Sequence, residues 1–288
     1  MKIHKVTLST SDVPEKIRNI PSPPNQLFVL GHDVNELLEK PCITIIGSRK
    51  VSAYGRAVTS SLAGELARAG VVIISGLALG VDSLAHQAAL DAGGLTIAVL
   101  PTGVDKVYPA TNRGLAEQII RQGGALVSEF DDGMPSMKHL FIARNRIASG
   151  LGDALLITEA AEKSGTLHTA NFALEQGRPV LAVPGNITSP TSAGTNNLIK
   201  TGATPVTSAS DVFYALGLES TAAKKKEAPR SHDPNEQILL DLLFSGIDDG
   251  AELLQQSALE LRLFNQTLTM LEIRGQIRPL GNNRWALQ

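Results

Sequence analysis

Six short apolar runs, at 43–47, 71–75, 96–100, 125–128, 154–158 and 180–183, alternate with helical patterns, and this alternation leaves few folds open. The helical patterns fall at 54–69, 81–92, 112–122, 142–150 and 166–177. Apolar runs of this kind, rich in β-branched residues, read as strands buried on both faces. Strands separated by helices pair in parallel, with helices covering both faces of the sheet. The expected fold class is therefore α/β. In the first long helical pattern Leu62, Leu66 and Ala69 share one face, and Gly70 stops it. Leu27–Leu30 reads as one more short strand. A last helix at 210–217, capped by Ser210 or Asp211, closes the domain.

The rest of the chain is divided by composition. Residues 1–26 are polar, carry Pro14, Pro21, Pro23 and Pro24, and read as an extended lead-in to a main domain at 27–217. Residues 218–234, with Lys224–Lys226, lack core-forming residues and read as a flexible, solvated linker. Residues 235–288 read as a small module: helices near 235–244, 250–261 and 264–274, then a hairpin turning at Gly281-Asn282-Asn283. Helices followed by a hairpin are the order of a winged helix. Its third helix carries no lysine or arginine between Asn265 and Arg274, so protein contact, a structural role and duplex binding all remain open.

A net charge of −2 over 288 residues excludes a generally basic polyanion binder, so any nucleic-acid site must be a local patch. The single cysteine, Cys42, excludes a disulfide framework and a cysteine zinc site; it reads as a small buried hydrophobe and suits a cytoplasmic protein. The first residues lack a signal-peptide core, and no apolar run is long enough to span a bilayer.

The chemistry collects where strands end. Ile43-Thr-Ile-Ile stops at Gly47, Ser48 and Arg49. At the carboxyl edge of a parallel sheet, where ligands bind, this supplies a close backbone approach, a hydroxyl and a guanidinium fork. Lys138 to Arg146 supplies Lys138, Phe141, Arg144, Asn145 and Arg146, and no acidic residue lies between Gly133 and Gly152. A cation with an aromatic suits single-stranded nucleic acid. The same residues also fit a solvated basic helix with Phe141 in the core. Ser164, Gly165 and Thr166 precede a helix start, where free N–H groups face the same edge. Gly185 ends another strand, and no acid lies between Gln176 and Ser210. Four such loops at one edge point to a bound polyanion.

No Walker lysine and no Gly-x-Gly-x-x-Gly is present, so neither an ATPase nor a classical NAD site is expected. Asp82 reads as a cap and His86 as a packed helix residue, with no third ligand for a metal. Glu129 and Glu159 read as orienters of loop N–H groups or arginines, and His168 as exposed or structural. No catalytic residue, metal or cofactor is expected.

Gly47-Ser48-Arg49, the run Ser75–His86, Tyr108-Pro109, Phe141–Arg146, Ser164–Thr166 and Val183–Gly185 together resemble the bacterial DNA-processing protein A (DprA, or Smf) family over about 27–216. The resemblance implies an extended Rossmann-like domain that binds single-stranded DNA, forms a homodimer, protects incoming DNA and hands it to the RecA recombinase during natural transformation. Many members place a helical SAM-like domain in front, for which 26 polar residues leave no room. By motif, the resemblance implies that Arg49 clamps a phosphate, Lys138 and Arg144 add cationic contacts, Phe141 stacks a base, and Ser164, Gly165 and Thr166 donate to phosphate. The rival reading is a nucleotide- or N-glycoside-cleaving relative, for which Ser164-Gly165-Thr166 with Glu175 is a partial echo.

Overall fold

The computed structural model describes residues 4–9, 11–218, 231, 233–281 and 283–287. The chain divides into two compact units, 1–220 and 221–288. In chain order the first unit contains β1 (His4–Ser9), α1 (Glu15–Arg18), β2 (Gln26–Gly31), α2 (Val34–Leu38), β3 (Cys42–Ile46), α3 (Ala53–Arg68), β4 (Val72–Ser75), α4 (Val81–Asp91) and β5 (Thr96–Val99). A 3-10 turn at Ala110–Asn112 leads into α5 (Arg113–Arg121), β6 (Ala125–Ser128), α6 (Lys138–Leu151), β7 (Ala154–Ile157), α7 (Thr166–Glu175), β8 (Val180–Ala182), α8 (Ala193–Lys200), β9 (Thr204–Pro205) and α9 (Ala209–Ala215).

One nine-stranded sheet holds the unit together, in the order β1-β2-β6-β5-β4-β3-β7-β8-β9. The strands from β6 to β9 in that order are all parallel. β2 runs antiparallel to β6, and β1 antiparallel to β2. Every residue of β3 to β7 is buried, as continuous apolar runs require when helices cover both faces. One face carries Ile43, Ile45 and Ile73 against α3, α4 and Phe213; the other carries Val72, Ile74 and Val127 against α6 and the N-terminal segment. The Cys42 thiol is buried and its pKa is pushed up to about 12 by desolvation, so it is an inert core side chain.

The N-terminal residues are not a lead-in. β1 supplies a sheet edge, and Val13, Ile17 and Ile20 enter the core beside Ile147 and Leu151. Lys16 pairs with Asp153 at 2.6 Å, and the Asp153 carboxylate accepts from the Cys42 N–H at 2.9 Å. Prolines space these short elements rather than unfolding them. Three further elements have weak local signals: α2, α8 and the two-residue β9. The cap of α9 is Ser208, in a reciprocal box with Asp211, two residues before the earlier of the caps expected. The predicted helix at 142–150 begins earlier, at Lys138, so the whole basic segment is helical.

The stretch read as a linker, 218–234, lies largely outside the described residues. The second unit contains α10 (Pro234–Phe244), α11 (Gly250–Ser257), α12 (Leu261–Ile273) and a hairpin of β10 (Ile277–Gly281) with β11 (Arg284–Leu287). Its core is Leu239, Leu240, Leu253, Phe264 and Leu271. α12 starts three residues before the predicted helix and so includes Arg262, while Arg274 is tied to Glu236 at 2.6 Å. No helix among the described residues is long and apolar enough to cross a membrane.

Ile17 is fully buried although it lies in a polar, proline-rich segment. Ile17→Ala is expected to lower stability by about 2–5 kcal/mol, read as a shift of the denaturant midpoint. A change within error would return this segment to the surface.

Candidate nucleic-acid interface

The strand order reverses direction at β3. Its successors β4, β5 and β6 extend to one side and β7, β8 and β9 to the other, so the loops after β3 and β7 diverge and open a crevice at the carboxyl edge. Glu159, two residues after β7, ties the β7 side of that crevice to the β3 side. Its carbonyl accepts from Ser48 N–H at 2.8 Å, and its buried carboxylate accepts from Ser52 N–H at 3.1 Å and from the Ser52 hydroxyl. Ser52 in turn caps α3 by accepting from Gly55 N–H. The β4–α4 loop rests on the same segment, with Val81 N–H donating to Ser48 O at 3.1 Å.

The side chain of Arg49 emerges from this anchored loop. It is exposed and makes no ion pair among the described residues. Its guanidinium carbon lies 5.2 Å from the centre of the Phe141 ring, on α6, and Phe141 meets Tyr108 edge-on at 5.5 Å and 72°. Three segments far apart in sequence thus place a cation and two aromatics side by side. Phe141 is half-buried and Tyr108 is 44% exposed, so ring surface remains open to a ligand. Lys138, at the start of α6, is exposed. Tyr108 was visible only as part of a motif; nothing local showed that it would meet Phe141.

Other predicted residues hold the loops together. The Ser48 hydroxyl donates to Lys50 O at 2.9 Å. The Ser164 hydroxyl donates to Thr166 Oγ1 at 2.9 Å, and the Thr166 hydroxyl donates to Gly47 O at 3.2 Å. Gly185 exchanges two hydrogen bonds with the Asn196 amide. Gly165 is exposed at the start of α7, and Asn145 is half-buried. Thus Gly47, Ser164 and Thr166 meet, while Gly185, in the loop after β8, is tied to α8.

Arg144 and Arg146 correct the sequence reading. Arg144 is 4% exposed and donates through Nη1 to Val99 O at 2.7 Å and to Gly76 O. A Cβ at position 76 would overlap its guanidinium, so Gly76 is a requirement of close approach. Burial lowers the Arg144 pKa while buried Asp82 opposes the shift; burial likewise raises Asp82 while Arg144 opposes that. Arg146 is bound to Glu129 at 2.5 Å. Neither is available to a phosphate. Apolar helix–sheet packing beneath α6 turned both inward, and spacing within one segment carries no signal for that.

Asp82 is no helix cap; its carboxylate reaches back to Ala78 N–H at 3.4 Å. The Thr96 hydroxyl donates to Ile73 O, so it accepts from His86 Nδ1–H at 2.6 Å. Burial, with Arg144 adding to it, lowers the His86 pKa to about 3 and keeps the ring neutral. His168 is exposed. No group of three or more metal-ligating side chains converges among the described residues.

The family model for DNA recombination-mediator protein A matches residues 4–217, which includes the N-terminal strand and ends before the second unit. The chain is 40% identical over 214 residues to the DNA processing protein DprA of Bacillus subtilis, covering 74% of this chain and 71% of that protein. It is 42% identical over 213 residues to Smf of Escherichia coli, covering 74% of this chain but only 56% of that protein. The crystal structure of DNA processing protein A from Streptococcus pneumoniae superposes with a TM-score of 0.68 at 39% identity, over 73% of this chain and 74% of that one. DNA processing protein A from Helicobacter pylori, a protein with a described single-stranded DNA binding mode, gives 0.66 at 33% identity over 74% and 95%.

His86 generates a pH prediction. In the folded chain it stays neutral down to about pH 3, whereas the unfolded chain takes up the proton near 6.5. Its contribution to stability is complete above that upper value and is lost as pH falls toward the lower one. The unfolding midpoint of His86→Gln is expected to drop less than wild type between about pH 7 and about pH 4.5.

Proposed function

Because the chain belongs to the DNA recombination-mediator protein A family, we propose that it binds single-stranded DNA along the carboxyl edge of its sheet, protects the strand and delivers it to the RecA recombinase during natural transformation and recombination. The observation that carries the binding reading is the cluster of Arg49, Phe141 and Tyr108. It offers a phosphate clamp beside an aromatic surface, the pairing that single strands need and that a closed duplex cannot use. Lys138 extends the cationic side, and Gly165 offers backbone to the same edge. Delivery to RecA, a homodimer, a cytoplasmic setting and a winged-helix role for residues 235–288 belong to the same proposal and rest on the family resemblance.

The enzyme reading is weaker. Glu175 is the last residue of α7 while Thr166 is the first, and at ~1.5 Å per residue the two ends lie about 14 Å apart. A glutamate there cannot work on a group held at Gly165. Incubation with nucleoside monophosphates is expected to release no base.

The test is salt-titrated binding. Single strands are expected to bind more tightly than duplex at matched salt, with little sequence preference. Arg49 projects from a loop anchored by Glu159, so its guanidinium is positioned before binding. A charge-assisted hydrogen bond is worth roughly 1.5–3 kcal/mol, so Arg49→Ala is expected to weaken single-strand binding by about one to two orders of magnitude. It should also flatten the salt dependence, because one fewer phosphate is neutralised. Phe141→Ala should weaken binding with the salt slope nearly unchanged. Equal or tighter duplex binding would overturn the proposal.

A further inference from the structure

A second opening lies on the same sheet edge, beyond Glu159 from Arg49. The start of α3 and the loop between β8 and α8 flank an open groove of about 600 Å³, lined by Ser52, Tyr54, Pro184, Gly185, Asn186 and Ser192 among others. Tyr54 is 48% exposed, yet its hydroxyl donates to Pro184 O at 2.7 Å. The ring is therefore held at both ends, by the helix and by the facing loop. An aromatic surface fixed in this way loses little freedom when a ligand stacks on it.

The opposite wall carries an unused polar group. Ser192 is 4% exposed, lines the groove, and its hydroxyl makes no hydrogen bond among the described residues. A Cβ at position 185 would overlap that hydroxyl, so glycine there keeps the space in front of it open. The hydroxyl is open to the groove and engaged with nothing in the protein, so it can donate to or accept from the edge of a ligand without breaking an internal bond. The Asn186 side-chain oxygen accepts from Thr188, and its amide N–H groups make no hydrogen bond among the described residues.

Charge decides what class of group enters. The N-terminus of α3, which would otherwise favour an anion, already holds the Glu159 carboxylate through Ser52. A second anion placed there would face that carboxylate at short range. No acid lies between Gln176 and Ser210, so a strand passing outside the groove is not repelled. The groove thus suits a neutral, flat, polar group.

We propose that this groove is a second base-binding subsite, in which Tyr54 stacks one nucleobase of the strand that Arg49 holds by its phosphate, and Ser192 and Asn186 bond to the edge of that base. The inference rests on the single-strand reading above and adds three residues outside the Arg49–Phe141 cluster.

The test uses the full chain, an oligothymidylate, and the same strand carrying 2-aminopurine. Tyr54→Ala is expected to weaken binding about tenfold with an unchanged salt slope. It should also remove quenching of 2-aminopurine that persists in Phe141→Ala at saturating protein. Tyr54→Phe should recover most of the affinity. If Arg49→Ala weakens binding while Tyr54→Ala stays within about twofold of wild type and keeps the quenching, the subsite is overturned and the single-strand reading stands. If Tyr54→Phe is as weak as Tyr54→Ala, the hydroxyl contact to Pro184 is what matters, and stacking is overturned. If wild type binds no single strand, both fall together.

Discussion

Glu159 is the contact on which the candidate interface depends. Parallel strands that diverge from a central pair leave a gap at their carboxyl ends, and something must join the two sides. Here one residue does so twice, through its carbonyl to Ser48 and its carboxylate to Ser52. The loop bearing Arg49 is therefore anchored at both ends of a five-residue span, from Ser48 to Ser52. Without that anchor the guanidinium would have to be ordered by the ligand, at the expense of affinity.

A second layer of charge lies below the surface and has the opposite task. Arg144 donates to carbonyls at the ends of β4 and β5, near buried Asp82. Burying a guanidinium is costly unless it is paired and hydrogen-bonded, and removing one partner would leave the rest uncompensated. This favours a structural role over a contact that opens and closes with ligand. The basic residues of α6 thus divide by exposure: Arg144 and Arg146 serve the fold, and Lys138 on the same helix faces solvent.

The hydroxyls of Ser48, Ser164 and Thr166 are engaged with neighbouring loops, and His86 is sealed in the core as a neutral hydrogen-bonded ring. What faces outward is a guanidinium, an ammonium and aromatic rings. Those groups interact by charge and stacking.

Much of this was legible in the sequence. Buried β-branched runs announce parallel strands because both faces need apolar residues, and the abrupt arrival of Gly47, Ser48 and Arg49 marks a strand's carboxyl end. The acid-free loops were equally plain, since they are local. Strand order was not local. Ile43 pairs with Ala154, and only that long-range pairing of β3 with β7 sets their following loops side by side; Leu30 pairs with Leu126 to add β2 beside β6. The same distance concealed that Val13 and Ile17 join the core, that Arg144 turns inward to Gly76, and that Tyr108 meets Phe141. Local patterns report which residues must be buried or can carry charge. Packing between segments decides which charges are left facing the ligand, because burial depends on neighbours that the local sequence does not name.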